Sequence, residues 1–130
     1  MNQNLKINLL NSDWDSVLLH PRLSAQVPTK PGIYGIFTVK DRIAKIAHGL
    51  QVRYIGMARK SIRSRFLAHT SPTAEHNEEL AKIYNKENLE FWFMELPKEL
   101  ISQAERELIR AFKKNNQTEL LNKINYKNGA

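Results

Sequence analysis

The 130-residue chain contains no cysteine, which excludes disulfides and thiolate metal sites. No run of eighteen apolar residues occurs in it, so no transmembrane helix is expected. Residues 1–10, MNQNLKINLL, lack the basic flank, apolar centre and small-residue cleavage site of a secretory signal. Together these absences predict a cytoplasmic protein with no membrane association. Glycine and proline number five each, and no repeat or low-complexity tract is visible. The phosphate loop and the dinucleotide fingerprint are also missing, since "GIYGIF" carries two glycines where the fingerprint needs three. His20, His48 and His76 have no cysteine or paired histidine at ligand spacing, which argues against zinc.

What is present describes a globular domain with a strong positive charge. Hydrophobic residues make up 42% and charged residues 25%, and the formal net charge is +7. Arg53, Arg59, Lys60, Arg63 and Arg65 fall within thirteen residues with no acid among them. Clustered charge of this kind points to a polyanion, nucleic acid first. The competing explanation is a soluble protein that is merely basic.

The hydrophobic pattern predicts an α+β domain. Residues 1–27 read as a leader, with "SDWDSVLL" starting one or two helical turns behind a Ser12 cap. Residues 28–130 form the main domain. "GIYGIFTV" reads as a strand entered after Pro31 and "LQVRYIG" as a second, antiparallel to it. Between them, Asp41 and Arg42 suggest a turn and "IAKIAHG" is ambiguous. Ser61 is a good N-cap for a helix running to about His69. A second helix is expected near Pro72, a third strand at residues 89–96, and the longest helix after Pro97. The tail is expected to form a short element and a frayed end. The resulting order is β-β-α-α-β-α around a three-stranded, mainly antiparallel sheet.

Several side chains do not fit a purely structural reading. Arg65 and His69 are four residues apart, one turn apart on one helix face. A guanidinium grips phosphate with two prongs, and a neighbouring histidine accepts or relays a proton. The alternative is a solvated arginine beside an incidental histidine. In the last long helix, Ile101, Ala104, Leu108 and Phe112 form an apolar stripe, and Glu105 is in line with it while Glu107 is not. An inward carboxylate is costly unless something positive meets it. A hydrated Mg²⁺ or an arginine partner at a partly exposed edge are the two explanations. Tyr34 and Tyr54 lie on strands expected to pair, with both hydroxyls able to reach the groove beside the first helix. Phe91, Trp92 and Phe93 read as core.

In order along the chain, Gly32-Ile33-Tyr34, Tyr54-Ile55-Gly56, "RFLAH" and "AERELI" resemble the motifs of the GIY-YIG nuclease superfamily, over about residues 28–125. Gly32 and Gly56 carry the glycines of the two tripeptides. The resemblance implies a metal-dependent endonuclease that hydrolyses phosphodiester bonds in DNA, with a catalytic set of Tyr34, Tyr54, Arg65, His69 and Glu105. Glu105 would hold a single Mg²⁺ or Mn²⁺, and Tyr34 would act on the attacking water. Arg53, Arg59, Lys60 and Arg63 would follow neighbouring phosphates, and Asn122, with Asn125 as a competitor, would play a structural part. Tyr34 and Tyr54 are twenty residues apart, longer than is usual in that family, so "KDRIAKIAHGLQ" is expected to be an inserted loop. Arg63 and Arg65 both lie near the family's arginine position, and the spacing to His69 selects Arg65. The alternative is a catalytically inactive nucleic-acid-binding module of the same fold. Weak sequence specificity, and a second copy or a recruiting protein for double-strand cleavage, complete the expectation.

Overall fold

The computed structural model describes residues 14–43, 46–71, 73–75, 77–86 and 88–115. Ser12, Pro72, His76, Asn122, Asn125 and the tail lie outside them. The described elements run in chain order as strand β1 (Asp15–Leu18), a 3-10 helix (Pro21–Gln26), β2 (Gly32–Ile43), β3 (Ile46–Ala58), helix α1 (Ile62–Thr70), α2 (Glu78–Lys86), β4 (Leu89–Glu95), a 3-10 turn (Lys98–Leu100) and α3 (Ile101–Asn115).

The fold is α+β, with one antiparallel sheet in the order β1-β4-β2-β3. It has four strands where three are expected. The additional strand is Asp15–Leu18, within the segment expected to be helical. Its pattern, Trp14 to one face and Val17 to the other, has the period of a strand. Pairing with β4, from Asp15 with Phe93 to Leu18 with Glu90, satisfies its backbone in a way no local signal announces. Residues 14–27 of the supposed leader are therefore built into the domain. Leu19 and Val27 sit in the core, at 5% and 0% exposure.

The ambiguous stretch after Val39 is not an irregular loop. Strands β2 and β3 continue through it as an antiparallel hairpin, pairing Asp41 with His48 and Ile43 with Ile46. The ladder shifts register once. Ile36 faces Tyr54 and Phe37 faces Val52, which leaves Arg53 as the extra residue of a β-bulge.

The sheet is covered on both sides. On one face, Tyr34, Ile36, Ala58, Phe91 and Phe93 pack with Ile62 and Phe66 of α1 and Leu80 and Ile83 of α2. On the other, Ile33, Val52 and Ile55 pack with Ile101, Ala104, Leu108 and Ile109 of α3. Central strand β2 is buried from both sides, so "GIYGIF" reads as a continuous apolar run rather than an alternation.

Helix α1 is anchored at its start. Ser61 caps it, its hydroxyl accepting from the Ser64 amide at 3.2 Å. The Ile62 and Arg63 amides donate to the Lys30 and Pro28 carbonyls at 2.9 and 3.0 Å, which occupies donors a helix start leaves over. Helix α2 begins at Glu78, later than the sequence suggests. Its cap is Asn77, whose Oδ1 accepts from the Glu79 and Leu80 amides at 3.1 and 3.2 Å.

Candidate active site

Tyr34 is the centre of the candidate site. It stands on β2 directly opposite Gly56 of β3, and a Cβ on residue 56 would fall on the Tyr34 ring. Glycine is thus the residue that lets the phenol lie flat over the neighbouring strand. Gly32 serves a similar purpose one turn of the pleat away. A Cβ there would strike the Met94 carbonyl and the Ile62 side chain, so glycine lets α1 and β4 close on the strand.

The phenol ring stacks on Phe91, with centroids 4.9 Å apart, and faces Tyr54 at 6.3 Å. His69 meets both phenols edge-on, at 5.4 Å from Tyr34 and 5.3 Å from Tyr54. The Tyr34 hydroxyl lies 2.7 Å from His69 Nε2, and Arg65 Nε donates to it at 3.5 Å. The four-residue spacing of Arg65 and His69 on α1 thus brings both side chains to one oxygen. Tyr34 is 1% exposed and His69 3%. Tyr54 is half-buried and Arg65 is exposed, so these two form the solvent side of the cluster.

Burial pushes the Tyr34 phenol well above its ordinary value, and neighbouring Tyr54 adds to that. The Arg65 charge and hydrogen bond pull the other way without cancelling it. Tyr54 is raised as well, first by burial. Arg65 opposes the rise, and the Glu105 and Glu75 charges reinforce it. Arg65 itself is held still more firmly in its charged form, chiefly by the charge that Tyr34 would carry.

The structure adds a residue that the sequence reading does not select. His69 Nδ1 lies 2.6 Å from Oε1 of Glu75, with both side chains almost wholly buried. The other carboxylate oxygen of Glu75 accepts from the Asn77 amide at 3.2 Å, and the Glu75 amide donates to the Ser71 carbonyl at 3.0 Å. Burial works against ionisation of Glu75. The His69 hydrogen bond and charge, the Asn77 amide and Arg65 together outweigh it and hold the carboxyl below its ordinary range. A usable signal was the histidine itself: a ring with both nitrogens buried needs two partners, and the acids at 75, 78 and 79 were the nearest candidates.

Glu105 is on α3, buried at 6% beside Ala104 and Leu108 as its place in the stripe predicts. Its helix packs on the sheet face opposite the one that carries Tyr34 and α1, and its charge helps to raise the Tyr54 phenol. Glu107 is turned toward Arg110, at 3.9 Å. Among the described residues, no group of three or more histidine, aspartate or glutamate side chains is placed to hold a metal ion. A lone carboxylate still matches the donor chemistry of Mg²⁺, which keeps most of its waters and takes further oxygens from a bound phosphate.

The four outer cations have different surroundings. Lys60 is exposed. Arg59 donates to the Ser102 hydroxyl at 2.9 Å, tying the end of β3 to α3. Arg63 Nε donates to the Val27 carbonyl at 2.8 Å and a terminal nitrogen to Ala25 at 3.5 Å, so this side chain straps the 3-10 helix to α1. Arg53 stands at the bulge, and among the described residues its buried Nε finds no hydrogen-bond acceptor.

No family model, no curated protein and no solved structure matches the chain.

Proposed function

We propose that the chain is a metal-dependent endonuclease of the GIY-YIG type, hydrolysing phosphodiester bonds in DNA. The observation that carries this reading is the meeting of Arg65 and His69, at 3.5 and 2.7 Å, on the hydroxyl of one strand tyrosine. The net charge of +7 is consistent with a polyanionic substrate.

In this reading Arg65, exposed at its outer side, grips the non-bridging oxygens and offsets the charge gained in the transition state. Burial opposes a free Tyr34 phenolate. The phenol acts instead as a proton conduit, taking a proton from the attacking water as it passes its own to His69. Tyr54 packs against His69 and Tyr34 and shapes the approach. Glu105 is the residue that would hold the divalent cation. Bound there, Mg²⁺ or Mn²⁺ would neutralise charge on the diester and its departing oxygen. Lys60, Arg59 and Arg53 are offered to flanking phosphates, Arg63 only with the nitrogens its strap leaves over. Weak sequence preference belongs to this reading. Cutting both strands would take a second copy or a recruiting protein.

A second reading is a nucleic-acid-binding module of this fold without turnover. It is favoured by the 1% exposure of Tyr34, which shields the phenol from a substrate. Plasmid nicking with Mg²⁺ or Mn²⁺ separates the two, comparing the native chain with Arg65→Ala and Glu105→Ala. Metal-dependent nicking lost in both variants is expected. Robust nicking by Glu105→Ala would overturn the assignment of the cation to Glu105, and no nicking by the native chain on single-stranded, duplex and branched DNA would favour the binding module.

A further inference from the structure

We propose that Glu75 is a positioning residue that fixes the tautomer of His69, so that His69 Nε2 faces Tyr34 as a proton acceptor. The inference deepens the nuclease reading and rests on it for its catalytic consequence, though its structural part can be tested alone.

The argument follows from which atoms have protons to give. Glu75 is an ionised carboxylate, held so by His69, the Asn77 amide and Arg65. A carboxylate only accepts hydrogen bonds. The 2.6 Å contact therefore requires the proton on His69 Nδ1. In the neutral ring the other nitrogen, Nε2, then carries the lone pair. It lies 2.7 Å from the Tyr34 hydroxyl, and against a neutral ring protonated on Nδ1 that hydroxyl is the donor. Without the carboxylate, the proton is free to sit on Nε2. The ring would then donate to Tyr34 and be unable to take its proton.

The step balances as follows. Water gives a proton to the Tyr34 oxygen while the Tyr34 O–H bond breaks and its proton passes to His69 Nε2. The hydroxide oxygen forms the new P–O bond as the opposite P–O bond breaks, and the departing oxygen takes a proton from solvent. His69 becomes an imidazolium against the Glu75 carboxylate, which stays unprotonated, and later returns the proton to solvent. Glu75 is on no helix or strand. Its place is set by the Ser71 carbonyl on one side and the Asn77 amide on the other. The residue that caps α2 thus also helps to aim the carboxylate at the ring, its own amide donating to Glu75 while its side chain holds the helix start.

Among the described residues, the charged and titratable groups around His69 are Tyr34 from β2, Tyr54 from β3, Arg65 from α1 and Glu75 from the following loop, with Glu105 of α3 felt at Tyr54. Against that set, Glu75→Gln changes one charge and little volume. The expected result is a kcat lower by about 10–100-fold with KM unchanged, an acidic limb of the pH–rate profile displaced from the native one, and partial rescue in Glu75→Asp. A purely structural role would lower thermal stability while leaving the profile of the surviving enzyme in place, and that outcome would overturn the proposal. The ring-nitrogen chemical shifts of His69 in the native ¹⁵N-labelled protein supply a readout independent of cleavage and of any variant. Protonation of Nδ1 and a lone pair on Nε2 are expected. The opposite tautomer overturns the proposal even if the protein cleaves DNA. The expected tautomer in a protein that cleaves nothing supports the positioning and overturns the nuclease reading instead.

Discussion

The phenol of Tyr34 occupies the space that a side chain on Gly56, its cross-strand partner, would need. The two tripeptides around these residues are therefore halves of one packing arrangement, in which the second glycine makes room for the first tyrosine. Gly56→Ala is expected to force the ring away from His69 and Arg65. Overpacking of this kind costs about 1–3 kcal/mol. Denaturant unfolding should show that loss, and nicking should fall further than the loss of folded protein explains. Native-like stability with native-like nicking would refute the arrangement.

Arg63 and Arg65 are two residues apart and are expected to fail differently when truncated. Arg63 holds the Val27 and Ala25 carbonyls, so Arg63→Ala should cost about 1–2 kcal/mol of stability, given the charged hydrogen bonds and partial exposure. Its effect on turnover by the folded protein should be small. Arg65→Ala should leave stability nearly unchanged and abolish turnover. Thermal melts beside single-turnover rates check both halves, and an interchange of the two phenotypes would show that the assignment is reversed.

Alkaline pH gives a third test, with a definite sign. Burial raises Tyr34 above 10.0 in the folded chain, and Tyr54 is raised too. Past pH 10 the unfolded chain releases these protons while the folded chain keeps them, so stability must fall as pH rises. Below pH 10 the contribution is complete. Tyr34→Phe removes the largest part of it, and its stability should decline less steeply between pH 9 and 11. Urea midpoints across that range measure the slope. Absorbance at 295 nm should show one tyrosine that titrates only on unfolding.

The parts of this architecture that could be read in advance are those whose signals are local. Ser61 caps its helix, Glu105 falls on the stripe of α3, and the residues from Gly32 to Phe37 have the composition of a buried strand. Strand β1 could not be read this way, because what makes Asp15–Leu18 extended is the edge of β4 more than seventy residues later. The helical expectation there rested on Ser12 as a cap, a local signal that says nothing of a distant strand edge. Pro72 marked the start of the second helix too early, because its preference for a first turn is only statistical, and the cap is Asn77. Glu75 was hard to single out for another reason. It is one of several acids in a loop, and only the path from Ser71 to Asn77 turns it, rather than Glu78 or Glu79, toward the histidine. For Arg63 and Arg65, spacing to His69 named the right side chain to approach Tyr34, but nothing in the spacing disclosed that Arg63 was wanted by the Val27 carbonyl.

The bulge at Arg53 separates the long hairpin into two zones. Val52 and Ile55 both face α3 although they are three residues apart, so one residue of β3 is absorbed without turning Tyr54 to the wrong side. A spare residue there works as an offset joint: it sets the register of the distal arm apart from the stretch that pairs Tyr34 with Gly56. The distal arm is accordingly free to diversify in length and reach while the tyrosines keep their coordinates. Variation among descendants of this chain should accumulate on that arm first.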